Sequence, residues 1–211
     1  MPSKVEIANK ALISIGSAPI LNFDDATPTA TAVASIYDDT INWLLAFYPW
    51  SFTKQTVPLV QADIPPDPTD GRIGAGWTYA FTLPSDTISQ PLAVFRYPRV
   101  PLTPMKDYAI ENSLLYSQWQ NLFATFQYAV DPDYWSPPFL KAAVAVLGAE
   151  FLIPISGNSG MLDEIQGKAW GSPQENYRGG FLGAAIKYDG RFQPSPAITE
   201  VSDPLTDARW M

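Results

Sequence analysis

The stretch Tyr37–Leu59, YDDTINWLLAFYPWSFTKQTVPL, decides how the rest of the chain is read. Upstream of it, apolar residues return every three or four positions, the period of a helix. Beyond Pro49 the period shortens towards two, and prolines and glycines multiply. Between the two regimes lies an aromatic knot, Phe47-Tyr48-Pro49-Trp50-Ser51-Phe52. Pro49 disfavours helical geometry at Tyr48, so a long helix is expected to end there and turn directly into the first strand of a second layer. Tyr48, Trp50 and Phe52 are the candidate structural joint, a small aromatic core that fixes the angle between the layers.

Upstream, Ser3-Lys4-Val5-Glu6 has the S-x-x-E form of a capping box, in which hydroxyl and carboxylate each satisfy an orphaned backbone N–H. Val5, Ala8, Leu12 and Ile15 then share one helical face, and Gly16 suits a left-handed cap. Residues 17–26 read as a loop in which Ile20, Leu21 and Phe23 tuck under the helices. Thr27-Pro28 is a cap followed by proline at the first helical position, where its missing N–H has no consequence. From there Val33, Ile36, Tyr37, Ile41 and Leu44 carry an apolar stripe to the knot.

Downstream, Phe52–Val57 and Leu59-Val60 read as strand interrupted at Pro58, and 62–76 as loop. Trp77–Leu83 alternates cleanly; shorter strands are expected at Leu92–Tyr97, Tyr108–Ile110, Leu114–Tyr116 and Leu122–Tyr128, with a hairpin turn over 110–114. Helix signals return at Ser136-Pro137-Pro138 and continue through Phe139, Ala143, Leu147 and Phe151 until Pro154 stops them. Met161–Ala169 begins a fourth helix, Gly171, Pro173, Gly179 and Gly180 interrupt it, and Phe181–Ile186 resumes the pattern. The expected fold is α+β. Residues 1–50 and 131–188 form a bundle of about four helices, 51–130 an inserted antiparallel β-rich subdomain, and 189–211 an extended C-terminal tail.

Composition narrows the function. The chain of 211 residues has no cysteine and no histidine, which removes disulfides, Cys/His zinc sites, catalytic thiols and imidazole bases. A formal charge of −8 argues against a basic phosphate-binding face. Charged residues are 16 % of the total and aromatics 13 %, a balance that suggests surfaces covered by other chains. The longest apolar run, Ala142–Ile155, contains Glu150 and is too short for a membrane span, and Lys4, Glu6 and Lys10 break any signal-peptide pattern. A soluble, unexported protein is expected.

Chemistry-bearing patterns are weak. Asp24-Asp25, Asp38-Asp39 and Asp131-Pro132-Asp133 lack the spacing of a calcium loop, and helix-start, solvent-face and turn roles explain them better. The glycine-containing segment 70–76 has no following Lys-Ser/Thr and leads into a strand, unlike a phosphate loop. Trp77, Tyr79, Tyr116, Trp119, Tyr128, Tyr134 and Trp135 could stack on sugars, although core and interface packing is the simpler reading. No catalytic residue, metal site or cofactor is expected; the chain reads as a structural protein and not an enzyme.

Several fragments in order carry a resemblance: Ile7-Ala8-Asn9 with Gly16, Asp24-Asp25 with Thr27 and Ala30, Tyr48-Pro49-Trp50-Ser51-Phe52, Tyr79-Ala80-Phe81-Thr82-Leu83-Pro84-Ser85-Asp86, and Trp135, Pro138-Phe139 and Pro154-Ile155. Together, over most of residues 4–156, the chain resembles the tail tubular protein A family, the head-to-tail adaptor of T7-like short-tailed bacteriophages. The P-W-S-F and Y-A-F-x-L-P-x-D motifs are the most specific. After Ala169 the likeness is poorest, since the family tends towards one continuous long helix there.

The resemblance implies a structural virion protein at the head–tail interface, assembled in the host cytoplasm. It implies a homo-oligomeric ring of twelve copies that joins portal protein to tail nozzle protein, with DNA passing through without sequence-specific binding. Portal-contact candidates are Phe181, Ile186, Leu205, Arg209, Trp210 and Met211, in an apolar-tipped C-terminal segment. The alternative is a carbohydrate-binding or carbohydrate-cleaving tail component that uses the Trp/Tyr set and a carboxylate pair, or, further off, a chaperone or scaffold that leaves the finished particle.

Overall fold

The computed structural model describes residues 2–62, 76–97, 104–172 and 179–192. These residues give an α+β protein of five α-helices and seven strands, all strand pairs antiparallel.

Helix α1 (Lys4–Ser14) begins in the expected capping box: the Ser3 hydroxyl accepts from the Glu6 N–H and the Glu6 carboxylate from the Ser3 N–H. Gly16 follows it in the left-handed region, φ +76°. In the next loop Ile20 is buried and Phe23 packs edge-on to Tyr37, whereas Leu21, expected to tuck in, is 88 % exposed. The loop is held elsewhere: Asn9 bonds both backbone groups of Ile20, and the Asp25 carboxylate accepts from the N–H groups of Leu21 and Asn22. Helix α2 (Pro28–Phe47) starts on the Thr27 cap.

Helix α3 (Pro137–Phe151), capped by Ser136, lies at the centre, in contact with α1, α2, α4 (Leu162–Trp170) and α5 (Gly180–Gly190). Its alanines and Gly148 permit close approach; Gly148 faces the Ser14 hydroxyl of α1. Pro154 does not stop it. The chain continues in a π-helical turn, Leu152–Ser156, and ends at Gly157, φ +63°. The wider turn shifts the hydrogen-bond ladder at a residue that has no N–H to give, and the Ser156 hydroxyl donates to Leu152 O. Among the described residues, Pro137–Ser156 alone is long and apolar enough to cross a membrane; half of that span is buried inside the protein.

The strands form two sheets. The first has the order β1-β7-β4, with β1 (Lys54–Pro58), β7 (Phe123–Gln127) and β4 (Ala93–Phe95). The second has the order β2-β3-β6-β5, with β2 (Val60–Gln61), β3 (Tyr79–Thr82), β6 (Leu114–Ser117) and β5 (Ala109–Glu111). Pro58 lies inside β1; the break comes at Leu59, where the chain leaves the first sheet for the second. The β5–β6 turn runs through Asn112 and Ser113, both at positive φ (49° and 62°), the handedness that matches the twist of a hairpin.

Two apolar cores result. The larger joins α1, α2, α3, α4 and α5 with Trp50 and Trp135. The smaller lies between the sheets, with Phe81 and Leu115 from one and Val94, Ala124 and Phe126 from the other. Helix α5 runs through Asp189 to Gly190, where an extended tail was expected from 189; residues 193–211 lie outside the described residues.

The candidate functional site at the helix–sheet joint

Tyr48, Trp50 and Phe52 come together as the sequence suggests, but the helix does not turn directly into strand. After Tyr48, in extended geometry, a single 3-10 turn (Ser51–Thr53) intervenes before β1. This turn swings Trp50 inward, where it is fully buried. Its ring stands edge-on to Tyr48 (centroids 4.9 Å apart) and to Phe139 (4.7 Å), and parallel to Phe52 (6.0 Å). Phe52 and Trp135 also meet Phe139 edge-on. Phe139 belongs to the first turn of α3, so the knot ties the end of one helix to the start of another.

Polar groups complete the joint. A helix end leaves its last carbonyls without intrahelical donors. Here the Trp50 indole N–H donates to Leu44 O at 2.9 Å. The Gln127 side-chain amide, buried at the end of β7, donates to Leu45 O and Tyr48 O, both at 2.9 Å, and to the Thr53 hydroxyl. A strand terminus thus caps a helix terminus. From the other side Asp189 of α5, 2 % exposed, accepts from the Ser51 N–H at 3.0 Å and from its hydroxyl at 2.6 Å. Burial pushes the Lys54 ammonium below its ordinary pKa, against the opposing pull of Asp189.

Neither Gln127 nor Asp189 stood out in the sequence. Asp189 had a signal, since it continues the Leu182–Ala185 stripe of α5 with a carboxylate; Gln127 had none, because it follows Thr125 on the polar positions of β7 and only its burial breaks the alternation. The partners lie 79 and 138 residues away, respectively, beyond the reach of a local pattern.

The other candidates are dispersed. Phe181 and Ile186 are half-buried on α5, with the Lys141 ammonium 4.4 Å from the Phe181 ring centroid. Leu205, Arg209, Trp210 and Met211 lie outside the described residues. Of the acid pairs, Asp25 serves its own loop, Asp38 pairs with Lys4 at 3.1 Å, and Asp131 precedes a 3-10 turn (Pro132–Tyr134) that contains Asp133. Among the described residues no group of three or more Asp or Glu is placed to hold a metal ion. The aromatics proposed for sugar stacking do not share one surface. Tyr116 and Trp135 are buried, Tyr134 is exposed, and the Arg96 guanidinium covers Trp119 at 3.3 Å. Arg96, Tyr97, Trp119, Gln120 and Asn121 line a cavity of about 170 Å³.

No model of a known protein family matches the chain, and no curated protein matches it.

Proposed function

We propose that the chain is the repeating subunit of a head-to-tail adaptor ring, twelve copies joining a portal protein to a tail nozzle around a DNA conduit. In this reading residues 1–50 and 131–188 act as a helical bundle, and 51–130 project as the β-rich insertion. The observation that carries it is the joint. The motif that bears the family resemblance, Tyr48-Pro49-Trp50-Ser51-Phe52, is the place where α2, α3, α5 and β7 are locked together. An adaptor subunit must hold two differently shaped parts at a fixed angle, and a buried aromatic and hydrogen-bonded joint serves that purpose without chemistry.

Uncovered aromatic side chains support the same reading. Trp43 is 48 % exposed, Phe47 44 % and Phe192 63 %, in a chain with few charges to keep such surfaces apart. The net charge of −8 suits a conduit wall that repels DNA and lets it slide.

Mixing the purified chain with portal protein and following co-sedimentation tests this function. Stoichiometric binding is the expected result. A chain that ignores portal and binds polysaccharide supports the alternative, for which the Trp119 cavity with its two amides is the specific observation. The C-terminal segment is assigned to the portal side, so deletion of residues 203–211 is expected to weaken attachment with the fold intact.

A further inference from the structure

Two exposed aromatic surfaces of the chain carry opposite charge. On the first, Trp43 and Phe47 stand one turn apart on α2 with ring centroids 4.8 Å apart, and Trp43 meets Trp170 of α4 edge-on at 5.2 Å. A groove of about 290 Å³ runs past Trp43, Trp170 and Val146 and is bordered by the carboxylates of Asp39 and Glu150. On the second, the last turn of α5 sets Tyr188 against Phe192 at 5.1 Å, with Lys187 and Arg191 exposed beside them.

The charges decide what can cover each surface. Two copies of the groove face to face would oppose carboxylates, and two copies of the α5 end would oppose cations. Groove against α5 end removes five large rings from water and sets Asp39 and Glu150 opposite Lys187 and Arg191. Aromatic anchors surrounded by complementary charge are the composition of a specific protein interface.

We propose that the Tyr188–Phe192 end of one copy seats in the Trp43–Trp170 groove of the next. Because the two surfaces differ, the contact is heterologous, and it repeats head to tail. Such a contact closes into a ring when the rotation per subunit permits and otherwise grows as a filament. The pairing presupposes that the chain is a ring subunit, and it names the surfaces through which neighbours meet.

The test is sedimentation of the full chain, with and without portal protein, for four proteins: wild type, Asp39→Lys/Glu150→Lys, Lys187→Glu/Arg191→Glu, and the variant with all four changes. Each double reversal is expected to weaken self-association at least tenfold, and the fourfold swap to restore it. Trp43→Ala, with an unchanged melting curve, is expected to weaken it similarly. Wild type that assembles while both reversals assemble equally well overturns this interface and leaves the ring standing. A fourfold variant no better than the double reversals also overturns it. Wild type that stays monomeric even with portal removes the ring reading and the interface together.

Discussion

Asp189 and Ser51, 138 residues apart, are joined through one buried carboxylate, whose two oxygens share the Ser51 backbone N–H and one of which also accepts from the Ser51 hydroxyl. This relationship ties the last helix to the turn where the chain passes from helices to sheets. Hydrogen bonds to a charged acceptor contribute about 1.5–3 kcal/mol. Asp189→Ala is expected to lower unfolding stability by about that amount, measured by urea titration, and Asp189→Asn by less, because its amide oxygen still accepts. An unchanged midpoint for the alanine variant would show that the carboxylate does not hold the joint.

Trp50 fills the centre of the aromatic knot and caps α2 through its indole N–H. Trp50→Ala is expected to lose about 3–5 kcal/mol, the range for a large aromatic removed from a packed core. Trp50→Phe restores most of the packing but not the bond to Leu44 O, so thermal denaturation should place it between the two.

Gly180 opens α5 at φ +57°, and a Cβ there would stand 2.6 Å from Lys168 O and 2.8 Å from Ala169 O. Both obstacles are backbone and cannot swing aside. Gly180→Ala is therefore expected to destabilise by about 1–3 kcal/mol through strain at a left-handed position, with steric displacement of α5 in addition. Gly16 is the internal control: it is also left-handed, φ +76°, but has open space around it. Gly16→Ala should cost about 1–2 kcal/mol from conformation alone.

The Tyr37 hydroxyl is buried and has no hydrogen-bond partner among the described residues. Burial, helped by the nearby Asp38 charge, raises its pKa far above the ordinary 10.0. The folded chain then keeps this proton where the unfolded chain gives it up, so stability falls as pH rises above about 10, by at most about 1.4 kcal/mol per pH unit. Tyr37→Phe is expected to be neutral or slightly stabilising at pH 7 and to flatten the alkaline decline. Denaturant midpoints between neutral and strongly alkaline pH measure both effects.

Local chemistry was legible in the sequence where the partner lies within a few residues. The caps at Ser3, Thr27 and Ser136 each satisfy the N–H three positions on, and the structure has all three. The strands of the two sheets also fall close to their alternating segments. The sequence pattern failed where a distant partner decides the conformation. Pro154 ends an isolated helix, yet packing on α3's neighbours carries the chain past it in a wider turn. Asp189 marks a polar tail by composition, yet Ser51 draws it inside. The joint was visible as an aromatic cluster; its hydrogen bonds, from Gln127 and to Asp189, were not.

The most direct measurement is electron microscopy of the purified chain, alone and assembled on portal protein. Closed rings whose top views show twelvefold symmetry, coaxial with portal, are the predicted result. A dispersed monomer that forms no ring and does not decorate portal would contradict the adaptor function.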